Sequence, residues 1–316
     1  MSQLKTDLEN ILKSCGADIV GFGSIDRFSH TSVSKIFPGT KTVIGAAFRV
    51  LRGSYRGIEE GSTYYQYTTT GVETLEETVM PMAMLRVCGV LEVAGFEALP
   101  QKRNQVIMQS EDDTNPEINY AEIYRGKTAE NQFDFNEAAI LCGLGEKGFH
   151  GQVLTDDFGP FQRFCFILTD AEIEPSPIVE AHLCDHCGRC AAACPGHAIN
   201  EAGEVDNWQC AAYYAGANMI KNPFMPPDAY INEPDRLAVI TGEAKLSPER
   251  AKQIIDETFF YPPIKHAYLS SICGRACDVA CYIHLEAQGV LKKSFKTPFR
   301  KRPEWKLSIL EGVFIP

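Results

Sequence analysis

Residues 184–195 read CDHCGRCAAACP, which sets Cys184, Cys187, Cys190 and Cys194 at C-x2-C-x2-C-x3-C spacing with Pro195 directly after the last thiol. Short loops of this kind bring successive sulfurs round to one point, and soft thiolates suit iron–sulfur units. In such a run three thiolates take one [4Fe-4S] cube and the fourth reaches a different one. Zinc more commonly uses two separated ligand pairs, so His182, His186 and His197 are set aside as ligands although they lie nearby. The C-x3-C-x2-C order of a radical-SAM loop is absent.

The run therefore asks for four more thiols, one to complete the first cube and three to join Cys194 at the second. Cys210, Cys273, Cys277 and Cys281 supply that number. The cross-over rule of bacterial ferredoxins assigns Cys184, Cys187, Cys190 and Cys281 to one cluster. Cys194, Cys210, Cys273 and Cys277 then form the other. The last three cysteines have C-x3-C-x3-C spacing, which predicts one helix carrying all of them on a single face. Cys15, Cys88, Cys142 and Cys165 fall in apolar or helical contexts and read as buried, inert thiols.

Twelve cysteines in 316 residues, with no apolar signal core at the N-terminus, point to metal or redox chemistry and away from disulfides. The length suggests about two domains. Thirty Lys and Arg against 41 Asp and Glu give a net charge of -11, a field that repels nucleic acid and anionic lipid. No apolar run reaches the roughly 18 residues of a membrane helix. The expectation is a soluble, cytoplasmic protein without a membrane partner.

Upstream, Leu4, Leu8, Ile11 and Leu12 recur at helical spacing, with Gly16 as the stop. The stretches 42–51 and 163–173 are apolar runs that read as buried strands. A helical pattern from Val72 to Ala94 contains Pro81, which predicts a kink or break. Glu174-Pro-Ser-Pro-Ile-Val179 is a stiff link that sets a domain boundary at 175/176. Seven Lys or Arg fall between 292 and 306, and this basic tail, 291–316, is expected to pack on the body.

Three further segments carry a family resemblance: KTVIGAAF (41–48), LEVAGFEALP (91–100) and CGLGEKGFHGQVLTDDFGPFQRFCFILTDAEIEP (142–175). With the cysteine block that follows, the chain resembles the epoxyqueuosine reductases and reductive dehalogenases, cobalamin enzymes with two [4Fe-4S] clusters. The resemblance implies an α+β fold, with a nitroreductase-like α/β cobalamin-binding domain over 1–175 and a ferredoxin-like two-cluster domain over 176–290. It also implies base-off cobalamin near Gly143, Gly145, Gly148, His150 and Gly151. Counting back from the loop, the position of the family's acidic proton donor falls on Ala129. The nearby acids are Glu130, Asp134 and Glu137. Asp134, Glu137 and Tyr65, the last grouped with Tyr64 and Tyr67, are the candidate catalytic residues. Where the epoxyqueuosine reductases carry G-W-I-G-K, this chain has Gly145-Glu146-Lys147-Gly148.

The leading expectation is reduction of a small molecule, with electrons from a ferredoxin or flavodoxin entering at the Cys194 cluster and passing through the other to cobalt. Epoxyqueuosine reduction on tRNA is a second reading, which the net charge disfavours. A non-catalytic electron carrier or corrinoid reductase is the third.

Overall fold

The computed structural model describes residues 3–59, 66–103, 133–258 and 271–299. The first helix, α1 (Gln3–Ser14), leads into β1 (Ile19–Ser24), the short helix α2 (Val33–Ile36), β2 (Thr42–Arg49) and α3 (Arg52–Glu59). Wide helical turns at Tyr67–Glu73 and Leu75–Val79 run into α4 (Met80–Val93), then β3 (Ala98–Gln101). After α5 (Phe135–Leu141) come the small hairpin β4 (Glu146–Lys147) and β5 (Val153–Leu154), and the long strand β6 (Gln162–Thr169).

Four strands form an antiparallel sheet in the order β1-β2-β6-β3, with Gly45 opposite Phe166 at its centre. Antiparallel sheets commonly leave one face to water. Here both are covered. Ile44, Ala46, Phe48, Cys165 and Ile167 face α1 and α4 through Leu8, Leu12, Met84, Val87 and Leu91. Val43, Ala47, Phe164, Phe166 and Leu168 face Phe28, Val33, Phe135 and Ala138. Double burial explains why both strands read as unbroken apolar runs. At Gly21 a Cβ would stand 2.2 Å from the Cys142 carbonyl oxygen, so glycine lets the end of α5 approach the sheet.

Pro81 falls in the first turn of α4, where a missing N–H costs no hydrogen bond. The anticipated break is thus a change from wide turns to α-helix. Cys88, Cys142 and Cys165 are buried, and burial raises all three thiols, Cys88 to about 11. Cys15 departs from that group: it is half-buried, and the Arg86 guanidinium donates to its sulfur at 3.4 Å.

The second half is helical. It comprises α6 (Arg189–Ala192), α7 (Asn207–Ala215), α8 (Arg236–Thr241), α9 (Pro248–Glu257) and α10 (Ala276–Gln288). Trp208, Ala212, Tyr213, Val239, Ile240 and Ile254 build its own small core. The link at 174–179 is docked: Ser176 exchanges hydrogen bonds with Phe22 through its N–H (2.7 Å) and its hydroxyl (3.1 Å). Val279 and Tyr282 of α10 share a core with Val50, Tyr55, Tyr67, Phe161 and Phe299. A cut at 175/176 therefore divides the chain in sequence but not the packing, because α10 returns to the sheet domain. Of the basic tail, residues to Phe299 are described; Phe299 is buried and its N–H donates to Glu286.

Candidate iron–sulfur site

Cys184, Cys187, Cys190 and Cys281 line one small cavity together with Phe149, His150 and His284. The other four thiols press on one another: burial first, then Cys273 and Cys194, pushes Cys210 up to about 12. Burial likewise raises Cys277, with Asp278, Cys273 and Cys210 adding to it. All twelve cysteines are free thiols. Buried, crowded thiols resist ionisation as they stand, and bound metal reverses this by taking them as thiolates. The donor set fits two [4Fe-4S] groups. Serving them would take Cys184, Cys187, Cys190 and Cys281 at one and Cys194, Cys210, Cys273 and Cys277 at the other.

The backbone that aims these sulfurs is tightly turned. His186 and Arg275 adopt left-handed conformations at φ 56° and 53°, unusual for residues with a Cβ. The single-face helix expected for the last three thiols is corrected here. Cys273 lies in the turn before α10, Arg275 breaks the helical path, and only Cys277 and Cys281 are helical. The N–H of Phe149 donates to Cys184 Sγ at 3.2 Å and that of Ala198 to Cys194 Sγ at 3.3 Å. Hydrogen bonds to sulfur are one of the means by which proteins set cluster potentials.

Glu146 was visible in the sequence only as a departure from the family loop. In the structure it is buried, and its carboxylate accepts N–H groups from His182 (2.6 Å), Leu183 (3.0 Å) and Cys184 (2.8 Å). It clamps the chain at the point where the first cysteine begins. Glu146→Gln presents an amide N–H₂ to these donors in place of an acceptor. Losing charge-assisted bonds of this kind should destabilise the fold by about 2 kcal/mol, read as a lower urea midpoint at unchanged m-value.

His150 faces the first thiol group. Its Nε2 lies 3.1 Å from Asp278 Oδ1, both side chains being buried, and Arg275 Nε donates to Asp278 Oδ2 at 2.7 Å. Burial alone would lower the imidazole pKa, but Asp278 and Cys190 outweigh it and push it up to about 9. Burial would raise Asp278; Arg275 and His150 hold it down at about 2. Beyond this pair, Glu76 is buried against Arg163 at 2.6 Å. Tyr67 is raised by burial, which Arg275 and Arg163 oppose. Together with Arg103 and Tyr55, whose charges and hydroxyls couple to the same groups, these residues make a polar wall beside the second thiol group. Glu76, Arg163, Arg275 and Asp278 carried no sequence signal except adjacency to cysteines in the last two.

A Cβ at Gly143 would stand 2.2 Å from the Pro177 carbonyl oxygen, and one at Gly145 would stand 2.3 Å from that of Leu154. Both glycines admit the chain's own backbone on the side where a side chain would stand. A Cβ at Gly148 would stand 3.1 Å from Gln152 and Leu154, and one at Gly151, where φ is 76°, would touch only the Val205 side chain at 3.9 Å. Asp134 is exposed and caps α5, accepting from the N–H groups of Asn136 (2.7 Å) and Glu137 (3.1 Å). Glu137 pairs with His30 at 2.8 Å on the surface. Tyr64, Tyr65, Ala129 and Glu130 lie outside the described residues.

Residues 177–200 match the family described as 4Fe-4S binding domain, so the chain is an iron–sulfur protein. A tetrachloroethene reductive dehalogenase of Desulfitobacterium hafniense is 38% identical over 65 residues, 20% of this chain and 12% of that protein. An epoxyqueuosine reductase of Synechococcus sp. (strain RCC307) is 32% identical over 90 residues, 28% of each. The matches thus span about an eighth to a quarter of these relatives' lengths. Among solved structures, epoxyqueuosine reductase from Streptococcus thermophilus is similar with a TM-score of 0.47 at 15% identity, over 90% of this chain and 81% of that one. A reductive dehalogenase structure gives 0.44 at 14%, over 79% and 35%. The sequence matches support the superfamily that the cysteine order resembles, at the low identity of a divergent member. Among the described residues no helix is long and apolar enough to cross a membrane.

Proposed function

We propose that the protein is an oxidoreductase that relays single electrons through two [4Fe-4S] clusters to a small reducible molecule, and the gathering of eight cysteines into two groups of four carries this reading. Residues 1–175 act as the nitroreductase-like cofactor and substrate domain, and residues 176–290 hold the clusters. Cys187 is the exposed member of the first group, whereas Cys273 and Cys277 sit beside the polar wall of Arg163, Arg275 and Tyr67. Electrons from a ferredoxin or flavodoxin then enter at the Cys187 side and leave toward that wall. This reverses the direction expected from the sequence.

At the wall Arg163 and Arg275 orient a polarised or anionic group, and the Tyr67 hydroxyl stands where Asp134 and Glu137 do not, as the proton source. Cobalamin, when bound, would supply a cobalt centre that takes up single electrons. The net charge of -11 opposes tRNA as substrate.

Anaerobic titration with a low-potential reductant should deliver about two electrons per chain, one to each cluster; uptake of one or none contradicts the relay. A base-off spectrum on adding cobalamin would support a corrinoid acceptor, and an additive spectrum would remove it while leaving the relay intact. Salt-sensitive tRNA binding would turn the substrate assignment toward epoxyqueuosine.

A further inference from the structure

A helix on the surface of a folded chain ordinarily turns an apolar stripe to the core and a polar one to water, and α4 departs from that division. Its inner side is in use, with Met84, Val87 and Leu91 packed in the core between the sheet and α1. Yet the side turned to solvent carries Met82 and Leu85, each 59% exposed, and Val93, 92% exposed. Arg86, Gly89 and Glu92 are exposed beside them. At 3.6 residues per turn these six positions fall within an arc of about 120°. Single exposed apolar residues need no explanation, but several together on one helix face mark a contact surface.

Gly89 lies inside the helix, where glycine is less favourable than alanine, and a Cβ there would meet nothing within 4 Å. The packing of one chain thus gives no reason for it. A second helix crossing at this point does, because the missing side chain lets two backbones approach closely. The order of residues around Gly89 says which helix. Arg86 stands three residues before it and Glu92 three after; Leu85 stands four before and Val93 four after. In an antiparallel pair with a two-fold axis at Gly89, each position before the glycine lies level with the equally distant position after it on the other helix. Arg86 therefore comes level with Glu92 of the second copy, twice over, and Leu85 with Val93. A parallel pair would set Arg86 against Arg86. Among the described residues Arg86 gives one terminal nitrogen to Cys15 Sγ at 3.4 Å, which leaves most of its guanidinium donors available, and the Glu92 carboxylate has no ion pair.

We propose that the protein pairs with a second copy of itself through α4, antiparallel and self-complementary about Gly89. Such an isologous contact uses the same patch on both copies. The apolar side chains drive association. Exposed ion pairs are individually weak, and these two set direction and register. A shallow crossing of about 20° keeps them within reach. Because α1 and α4 cover the face of the sheet opposite α5, the pairing rests on no part of the electron relay.

Sedimentation velocity of the anaerobically purified full chain, measured across a range of concentrations, tests this. A reversible shift from the chain mass to twice that mass is expected. Leu85→Glu puts a charge into the apolar stripe at an exposed position and should weaken pairing at least about tenfold. Gly89→Leu fills the crossing point and should do the same, while raising the thermal midpoint of the monomer because leucine is the better helix former. Arg86→Glu alone should weaken pairing about three- to tenfold, and combining it with Glu92→Arg should restore the loss. A monomer at every concentration overturns the proposal. So does a dimer that Leu85→Glu and Gly89→Leu leave intact, or a double exchange that pairs no better than Arg86→Glu alone.

Discussion

Cys281→Ser should lower the iron content of the anaerobically purified protein from about eight to about four atoms per chain, the complement of one remaining [4Fe-4S] group. Cys281 is the thiol that α10 brings to Cys184, Cys187 and Cys190, and burial with the neighbouring Asp278, Cys190, Cys184 and Cys187 raises its pKa. A serine hydroxyl at that place is a harder donor, less suited to iron in a thiolate site. The effect should be confined to one group: the second set draws on Cys194, Cys210, Cys273 and Cys277. Iron measured beside chromophore absorbance, in Cys281→Ser and in a companion Cys210→Ser, separates the groups. Each variant should lose about half, and the double variant nearly all. Loss of all iron in either single variant would mean that the two groups are one site.

Asp278→Asn should destabilise the protein by about 3–5 kcal/mol, the range for breaking a buried ion pair. The Asp278 carboxylate is buried between Arg275 at 2.7 Å and His150 at 3.1 Å. Asparagine keeps the shape and removes the charge, which leaves the Arg275 guanidinium without its compensating anion. Chemical unfolding followed by circular dichroism should show the loss as a shifted midpoint at constant m-value. A shift smaller than about 1 kcal/mol would show that solvent or iron, not Asp278, compensates Arg275. His150→Gln, which takes away a ring between Asp278 and the first thiol group, should be milder for stability and should shift the midpoint potential of that group.

The 4Fe-4S motif was legible because its chemistry is written in spacing, and a C-x2-C-x2-C-x3-C-P run has few other uses. The two long strands were legible because a sheet covered on both faces leaves an unbroken apolar run. What the sequence concealed depends on distant partners. The need for glycine at 143 and 145 comes from backbone at Pro177 and Leu154, a packing role that no local pattern announces. Asp134 had the residue type of an acid, but its side chain serves the first turn of α5. Glu76, Arg163, Arg275 and Asp278 come from separate stretches, and nothing local announces that the fold buries them together. The C-x3-C-x3-C pattern promised one helix face. Arg275, in its left-handed turn, ends that regularity and lets α10 carry Cys277 and Cys281 to different groups.

The central claim is that eight sulfurs hold two iron cubes. Metal analysis of the anaerobically purified, unmodified chain tests it most directly: about eight irons with matching acid-labile sulfide per chain is the predicted result, and one or two zinc ions without sulfide would contradict it.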